Sequence, residues 1–292
     1  MQTRNIGNDT VGRVQVGEIG LGGMALCVPR EVDRDRAKAT IAAALDAGVT
    51  LIDTADAYGP DDWGTKANGQ NETQIAELLD ELGRRAGVYI ATKGGHVRTE
   101  DGGWAVDSSA THLRAAVDAS LRRLGIDAID LYQHHRPDPR VPYEDAIGTM
   151  KEIFDEGKVR MVGISNADVD QILTAQGILG DALVSVQNQY SPAFRNSQDE
   201  LALCARLGLA FLPWSPLGGI GNAGGLGSSF ASFQHVAEAH GVSPQQVALA
   251  WELAQAEVVI PIPGSSRAES ITDSARAAAL ELTPAELATL TG

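Results

Sequence analysis

The stretch DSSATHLRAAVDASLRRLGIDAIDLYQHHRP, residues 107–137, reads as one helix followed by one strand. Leu113, Val117, Leu121 and Leu124 recur at helical spacing, Asp107 and Ser108 offer N-cap oxygens, and Gly125 stops the helix. The run AIDLYQH comes next, short and apolar enough to be a buried parallel strand. It ends on two histidines, a polar pair where an apolar stave meets its loop.

The same alternation extends in both directions. The strand-like runs are VGEIGLG, TLIDT, VYIATK, AIDLYQH, RMVGIS, LVSVQN, LAFLPWS and VVIPIPG. Helical patterns lie at 31–47, 71–83, 107–124, 142–156, 168–177, 197–207, 230–254 in two pieces, and 267–279. Eight units of strand and helix with no linker predict an α/β fold, a (β/α)8 TIM barrel forming a single domain over residues 1–292. Residues 3–16 alternate in character and predict a short N-terminal β-hairpin closing the barrel bottom. Two loops exceed ordinary βα connections: 58–70, which carries Trp63, and 217–229, whose six glycines suit a cover over a ligand.

The 292 residues carry a formal net charge of −15, which argues against nucleic acid or an anionic membrane as a partner. Cys27 and Cys204 stand in apolar surroundings without metal-ligand spacing and read as buried free thiols. The start MQTRNIGNDT lacks the basic and apolar parts of a secretory signal, so a cytoplasmic location is expected. A monomer is the default oligomeric state.

Strand ends of one barrel converge on one mouth, and four of these ends carry chemistry. LIDTADAYG ends with Asp53 and Tyr58 nearby, YIATKGG with Lys93, IDLYQHHRP with His134 and His135, and MVGISN with Ser165 and Asn166. Strand alternation points Gln133 and His135 inward and His134 outward. GLGGM lacks the full GxGxxG spacing of a dinucleotide fingerprint, and no histidine or cysteine set has zinc spacing.

This succession resembles the aldo-keto reductases along nearly the entire chain. GLGGM (20–24), IDTADAYG (52–59), ATKGG (91–95), IDLYQHHRPDP (129–139), GISN (163–166), SVQNQYSP (185–192), PWSPLGG (213–219) and IPGSSR (262–267) fall in the family order. The resemblance implies an oxidoreductase of the NADPH-dependent bacterial branch that transfers hydride to the carbonyl of an aldehyde or ketone, reversibly. It implies Tyr58 as general acid, Lys93 as the cation beside it, Asp53 as the anion holding Lys93, and His135 rather than His134 as the group polarising the carbonyl.

It also implies a cofactor path. Gly22, Gly23 and Met24 would approach the ribose beside Asp53; Ser165, Asn166 and Gln187 would hold the carboxamide, and Trp214 would stack on the nicotinamide. Ser215, Leu217 and Gly219 would contact the pyrophosphate, and Gly264, Ser265, Ser266 and Arg267 the adenosine end. Arg267 favours NADPH, while Gly264, Ser270, Asp273 and Ser274 depart from the residues many relatives use there, leaving NADH as a weaker alternative. The small-molecule substrate pocket is expected near Trp63, His96, Phe194 and the chain end. The competing expectation is a nucleotide-binding regulatory or redox-sensing barrel subunit with little turnover.

Overall fold

The computed structural model describes residues 1–28, 33–219 and 221–292. It opens with an antiparallel hairpin, β1 (Thr3–Asn8) and β2 (Gly12–Gly17). Then come the first barrel staves, β3 (Leu21–Gly22), β4 (Leu51–Asp53) and β5 (Tyr89–Gly94). A second antiparallel hairpin, β6 (His96–Arg98) and β7 (Trp104–Val106), interrupts the alternation. The staves resume with β8 (Leu131–His134), β9 (Val162–Ser165), β10 (Leu183–Gln187) and β11 (Ala210–Phe211). All seven staves are parallel and pair in chain order.

The eighth stave, residues 258–264, is bonded into place without forming a regular strand. Phe211 donates its amide to Val258 and accepts from Ile260, each at 2.8 Å, while Gly20 and Gly22 donate to Pro261 and Pro263 at 2.9 and 3.0 Å. Two prolines remove the amides that would complete the ladder toward β3, so the ring closes through isolated bridges at Val259 and Gly264.

Helices α1 (Arg34–Asp46), α2 (Gln70–Glu81), α3 (Ala110–Leu124), α4 (Tyr143–Asp155), α5 (Val169–Leu179) and α6 (Gln198–Leu207) wrap the staves. A short turn α7 (Leu226–Ser229) precedes α8 (Ala231–His240), α9 (Pro244–Leu253), α10 (Ala268–Arg276) and α11 (Pro284–Thr291). The first residues of the helix expected from 31 lie outside the described residues. The N-cap of α3 is Ser109, whose hydroxyl accepts from the His112 amide, one residue later than the reading of Asp107 and Ser108. Gly125 ends that helix in the left-handed region, at φ 65°, as its position predicts.

Two apolar layers result. Ile52, Ile90, Tyr132, Val162, Ile164 and Val186 face outward into the helices. Leu51, Ala91, Leu131, Val184, Ala210, Leu212, Ile260 and Ile262 fill the barrel, and Ile6 and Val16 of the hairpin plug its lower end. The upper layer is polar, with Asp53, Lys93, Gln133, Ser165 and Gln187 all buried. Gly163 makes room for it, because a Cβ there would lie 2.4 Å from Ser185 Oγ and 2.8 Å from Gln133 Cγ.

Glu252 on α9 is fully buried, and among the described residues neither of its carboxylate oxygens has a hydrogen-bond partner. Burial raises its pKa well above the ordinary value, so it is folded in as the neutral acid. The unfolded chain ionises near pH 4.3, so stability present below that pH is lost as pH rises toward the folded pKa. Glu252→Gln should therefore gain stability relative to wild type as pH rises above 5, by up to about 1.4 kcal/mol per pH unit until the folded pKa is reached. Thermal unfolding of both proteins across that range checks this, and parallel curves would refute it.

Candidate active site

Asp53 ends β4 and Lys93 lies near the end of β5, side by side in the parallel ladder. The Lys93 ammonium donates to Asp53 Oδ2 at 2.6 Å, to the Thr54 carbonyl at 2.8 Å and to the Tyr58 hydroxyl at 3.5 Å. Asp53 Oδ1 accepts from Gln187 Nε2 at 2.8 Å and Gln133 Nε2 at 3.1 Å. Both carboxylate oxygens are thus committed, and the ammonium has one direction left, toward the phenol. Burial works against the Lys93 charge, but Asp53 and Tyr58 outweigh it and hold the amine above its ordinary pKa. Burial raises the Tyr58 pKa, helped by Asp53 and opposed by Lys93, so the resting group is the protonated phenol.

The chain between Asp53 and Tyr58 is held against β5. Thr54 donates its amide to Ala91 at 2.7 Å, and Asp56 donates to Lys93 at 3.1 Å. His135 follows β8, with its amide on the Gly94 carbonyl at 2.9 Å. Its ring meets Tyr58 edge to face, centroids 5.7 Å apart, and its Nδ1 is buried without a partner among the described residues. Burial, then the Lys93 charge, depresses its pKa well below the ordinary histidine value, so this imidazole is neutral. His134 points the other way: its Nε2 lies 2.8 Å from Ser108 Oγ and its ring packs near Tyr143 of α4.

Above these groups opens a cavity of about 1090 Å³. Tyr58, His135, Met24, Asp53, Ser165, Asn166, Gln187, Trp214, Ser215, Leu217, Gly219, Gly264, Ser265, Ser266 and Arg267 line it, together with Gly22. Lys93 lies beneath its floor. Gly23 stands behind the wall, where its carbonyl accepts from Asn71 Nδ2 at 3.0 Å and a Cβ would press on the Asp53 carbonyl at 2.8 Å. Among the described residues, Asn166 and Ser215 are the non-glycine residues with positive φ, 57° and 53°. Such backbone is held by its surroundings, and both residues face the cavity. In the case of Asn166 the restraint is visible: Nδ2 donates to the His135 carbonyl and to Ser165 Oγ, each at 3.0 Å.

The adenosine-side expectation, Ser265 to Arg267, forms the turn into α10, with Arg267 as its N-cap residue. Arg267 is exposed and has no carboxylate partner among the described residues. Arg36 of α1, not anticipated from the sequence, fastens this turn from behind by donating to the Ser266 carbonyl at 2.7 Å. Asp273 of α10 is occupied by Ser243 Oγ and Gln246 Nε2, each at 2.6 Å.

The opposite wall corrects the sequence reading. Trp63 is 48% exposed and does not line the cavity, and neither do Phe194 or the chain end. The aromatic wall is the hairpin β6–β7, with His96 stacked on Trp104 at 4.7 Å and meeting His135 edge to face at 4.8 Å. Arg98 lies over the Trp104 ring at 3.8 Å and is anchored to Asp61 Oδ1 at 2.5 Å. The signal was present in HVRTEDGGWAV, an Asp-Gly turn between two short β-prone runs. Gln133 was also missed as a site residue, although its inward direction was legible from strand parity.

Comparison with known proteins identifies the family. The model of the aldo/keto reductase family matches residues 18–292, and the chain belongs to that family of oxidoreductases acting on carbonyl compounds. It is 37% identical over 278 residues to a 6-dehydroglucose reductase of Novosphingobium aromaticivorans, covering 90% of this chain and 87% of the relative. It is 34% identical over 280 residues to an uncharacterised oxidoreductase of Schizosaccharomyces pombe, covering 94% and 86%. The crystal structure of an aldo-keto reductase from Klebsiella pneumoniae in complex with NADPH superposes with a TM-score of 0.80 at 26% identity, covering 99% of this chain and 93% of that one. The α/β barrel is the fold this chain shares with that solved structure. Among the described residues no helix is long and apolar enough to cross a membrane.

Two outcomes test the arrangement. Tyr58→Phe should lower kcat for carbonyl reduction by at least about 10²-fold, the ordinary scale of a positioned acid, and leave cofactor binding intact; retained kcat would remove Tyr58 from the chemistry. Because burial keeps His135 neutral, reduction should show no transition near pH 6.5, and rates should fall only in alkaline solution, where Tyr58 loses its proton. A break near pH 6.5 that His135→Gln abolishes would contradict this.

Proposed function

We propose that the chain is a single barrel domain that reduces aldehydes or ketones with NADPH as hydride donor, and that Asp53, Tyr58, Lys93 and His135 carry the chemistry. The observation supporting this reading is the unbroken chain of contacts from Gln133 and Gln187 through Asp53 to Lys93 and Tyr58, ending in an open cavity beside a neutral imidazole. A free phenol with a pKa near 10 is a reluctant acid. Lys93, pinned by Asp53, lies where it stabilises the phenolate left when Tyr58 gives its proton to the carbonyl oxygen. His135, kept uncharged, donates a hydrogen bond to the same oxygen without competing for the proton.

The residues lining the cavity fit a dinucleotide. Trp214 offers an indole face and a buried Nε1 with no partner among the described residues. The Gln187 amide nitrogen is committed to Asp53, so its side-chain oxygen is the free group, an acceptor suited to a carboxamide N–H. Asn166 likewise keeps its side-chain oxygen free, since its nitrogen is bonded twice. Ser215, Leu217 and Gly219 border the middle of the cavity, suited to a pyrophosphate, and Ser265, Ser266 and Arg267 border its far end. When bound there, NADPH supplies the hydride.

Arg267, unpaired at a helix N-terminus, supports selection of a 2′-phosphate. Arg267→Ala should raise the KM for NADPH about tenfold or more and that for NADH less than about twofold, as expected for one charge-assisted contact. Steady-state kinetics with both nucleotides checks it. Equal losses would remove the phosphate preference.

A further inference from the structure

The cavity holds a second unpaired guanidinium, which the chemistry above does not use. Arg136 directly follows His135, is exposed, and lines the cavity with Tyr58, His96 and Trp104. No carboxylate among the described residues lies within ion-pair distance of it. The nearest acid along the chain, Asp138, is already taken: Oδ1 accepts from Arg140 Nε at 2.9 Å and Oδ2 from Arg140 at 2.8 Å, and Oδ2 also accepts the Ser108 amide at 3.3 Å. Those contacts hold the Asp138 carboxyl well below the usual range and leave Arg136 without a counter-ion.

The position separates this charge from the cofactor end. Arg136 follows β8, the fourth stave, and Arg267 follows the eighth, so the two lie across the barrel from each other. The acids lining the cavity are Asp53, Glu269 and Asp273. Asp53 is neutralised by Lys93, and the other two sit on α10, on the Arg267 side. The substrate side therefore carries net positive charge in a protein of formal charge −15. The Arg136 field contributes to keeping His96 uncharged, its pKa held to about 4, chiefly by burial. His96 Nδ1 is buried without a partner among the described residues, a second polar atom on the same wall.

We propose that Arg136 is a specificity-determining residue that binds a carboxylate on the substrate, so that the preferred substrates are aldehydes or ketones carrying an anionic group beyond the reacting carbonyl. The aromatic wall of His96 and Trp104 takes the apolar body of such a molecule, its carbonyl lies between Tyr58 and His135, and Arg136 pairs with its acidic end. This rests on the reductase reading of the site, and it adds the charge of the substrate. Arg136 touches neither Lys93 nor Asp53 by any hydrogen bond, so its replacement leaves the proton-donating unit in place.

The probes are 4-carboxybenzaldehyde and its methyl ester, which differ in charge far from the aldehyde. The wild-type enzyme should favour the acid in kcat/KM. Arg136→Gln should lower that preference about fivefold to tenfold, through the KM for the acid, and leave the ester nearly unchanged, the scale of one charge-assisted contact. Added salt should erode the wild-type preference and hardly affect the variant, because an exposed pair is screened. Reduction of both probes with an acid-to-ester ratio that Arg136→Gln leaves unaltered overturns the substrate charge alone. Failure of the wild-type enzyme to reduce either probe, or any other aldehyde, overturns the reductase reading and this proposal with it.

Discussion

A charged lysine with no solvent exposure is the constraint around which the upper half of this barrel is organised. Burying one partner of such a pair without the other costs about 3–5 kcal/mol, so Asp53 and Lys93 depend on one another, at 2.6 Å. The pair in turn requires polar neighbours for its remaining lone pairs and protons, and it finds Gln133, Gln187 and the Thr54 carbonyl. Gln133 needs space inside the ring, which Gly163 leaves on the adjacent stave. The residues above the apolar plug thus follow from placing one ammonium in a barrel that would otherwise be filled with aliphatic side chains.

That interior charge also sets the state of its neighbours. With Lys93 held as a cation, a second positive charge a ring away is unfavourable, which adds to burial in keeping His135 neutral. Tyr58 feels opposing influences: Asp53 and the loss of water hold its proton on, while Lys93 lowers the cost of releasing it. A phenol so balanced keeps its proton at rest and has a cation ready at the moment of release, the combination a general acid needs.

Periodicity made the staves and helices legible because each has one dominant burial pattern: continuous apolar runs for strands covered on both sides, and stripes for helices covered on one. The eighth stave was legible as a run, VVIPIPG, although Pro261 and Pro263 keep it from becoming a regular strand. The hairpin of His96 and Trp104 escaped because its strands of three residues carry too little alternation, and only the Asp-Gly turn marks it. Trp63 misled for a different reason. Its loop is long, but length says nothing about direction, and the loop folds outward through a helical turn kinked at Gly64.

The inward direction of residues at strand ends was legible by parity where a stave runs without a bulge, as in β5, β8 and β9; in β10 an irregularity between Leu183 and Ser185 breaks the alternation. Histidines 134 and 135 are adjacent, yet one reaches Ser108 outside the barrel and the other faces Tyr58 within it. Arg136, first in the loop, escapes that rule, and its importance depends on what it lacks. A lone arginine after a histidine in a sequence has no visible counter-ion and no visible competitor. Only the folded chain reveals that Arg140 has captured Asp138, and that the other acids of the cavity lie across the barrel. Charge at the mouth is therefore a property of the assembled loops, set apart from the Asp53–Lys93–Tyr58 unit on the staves.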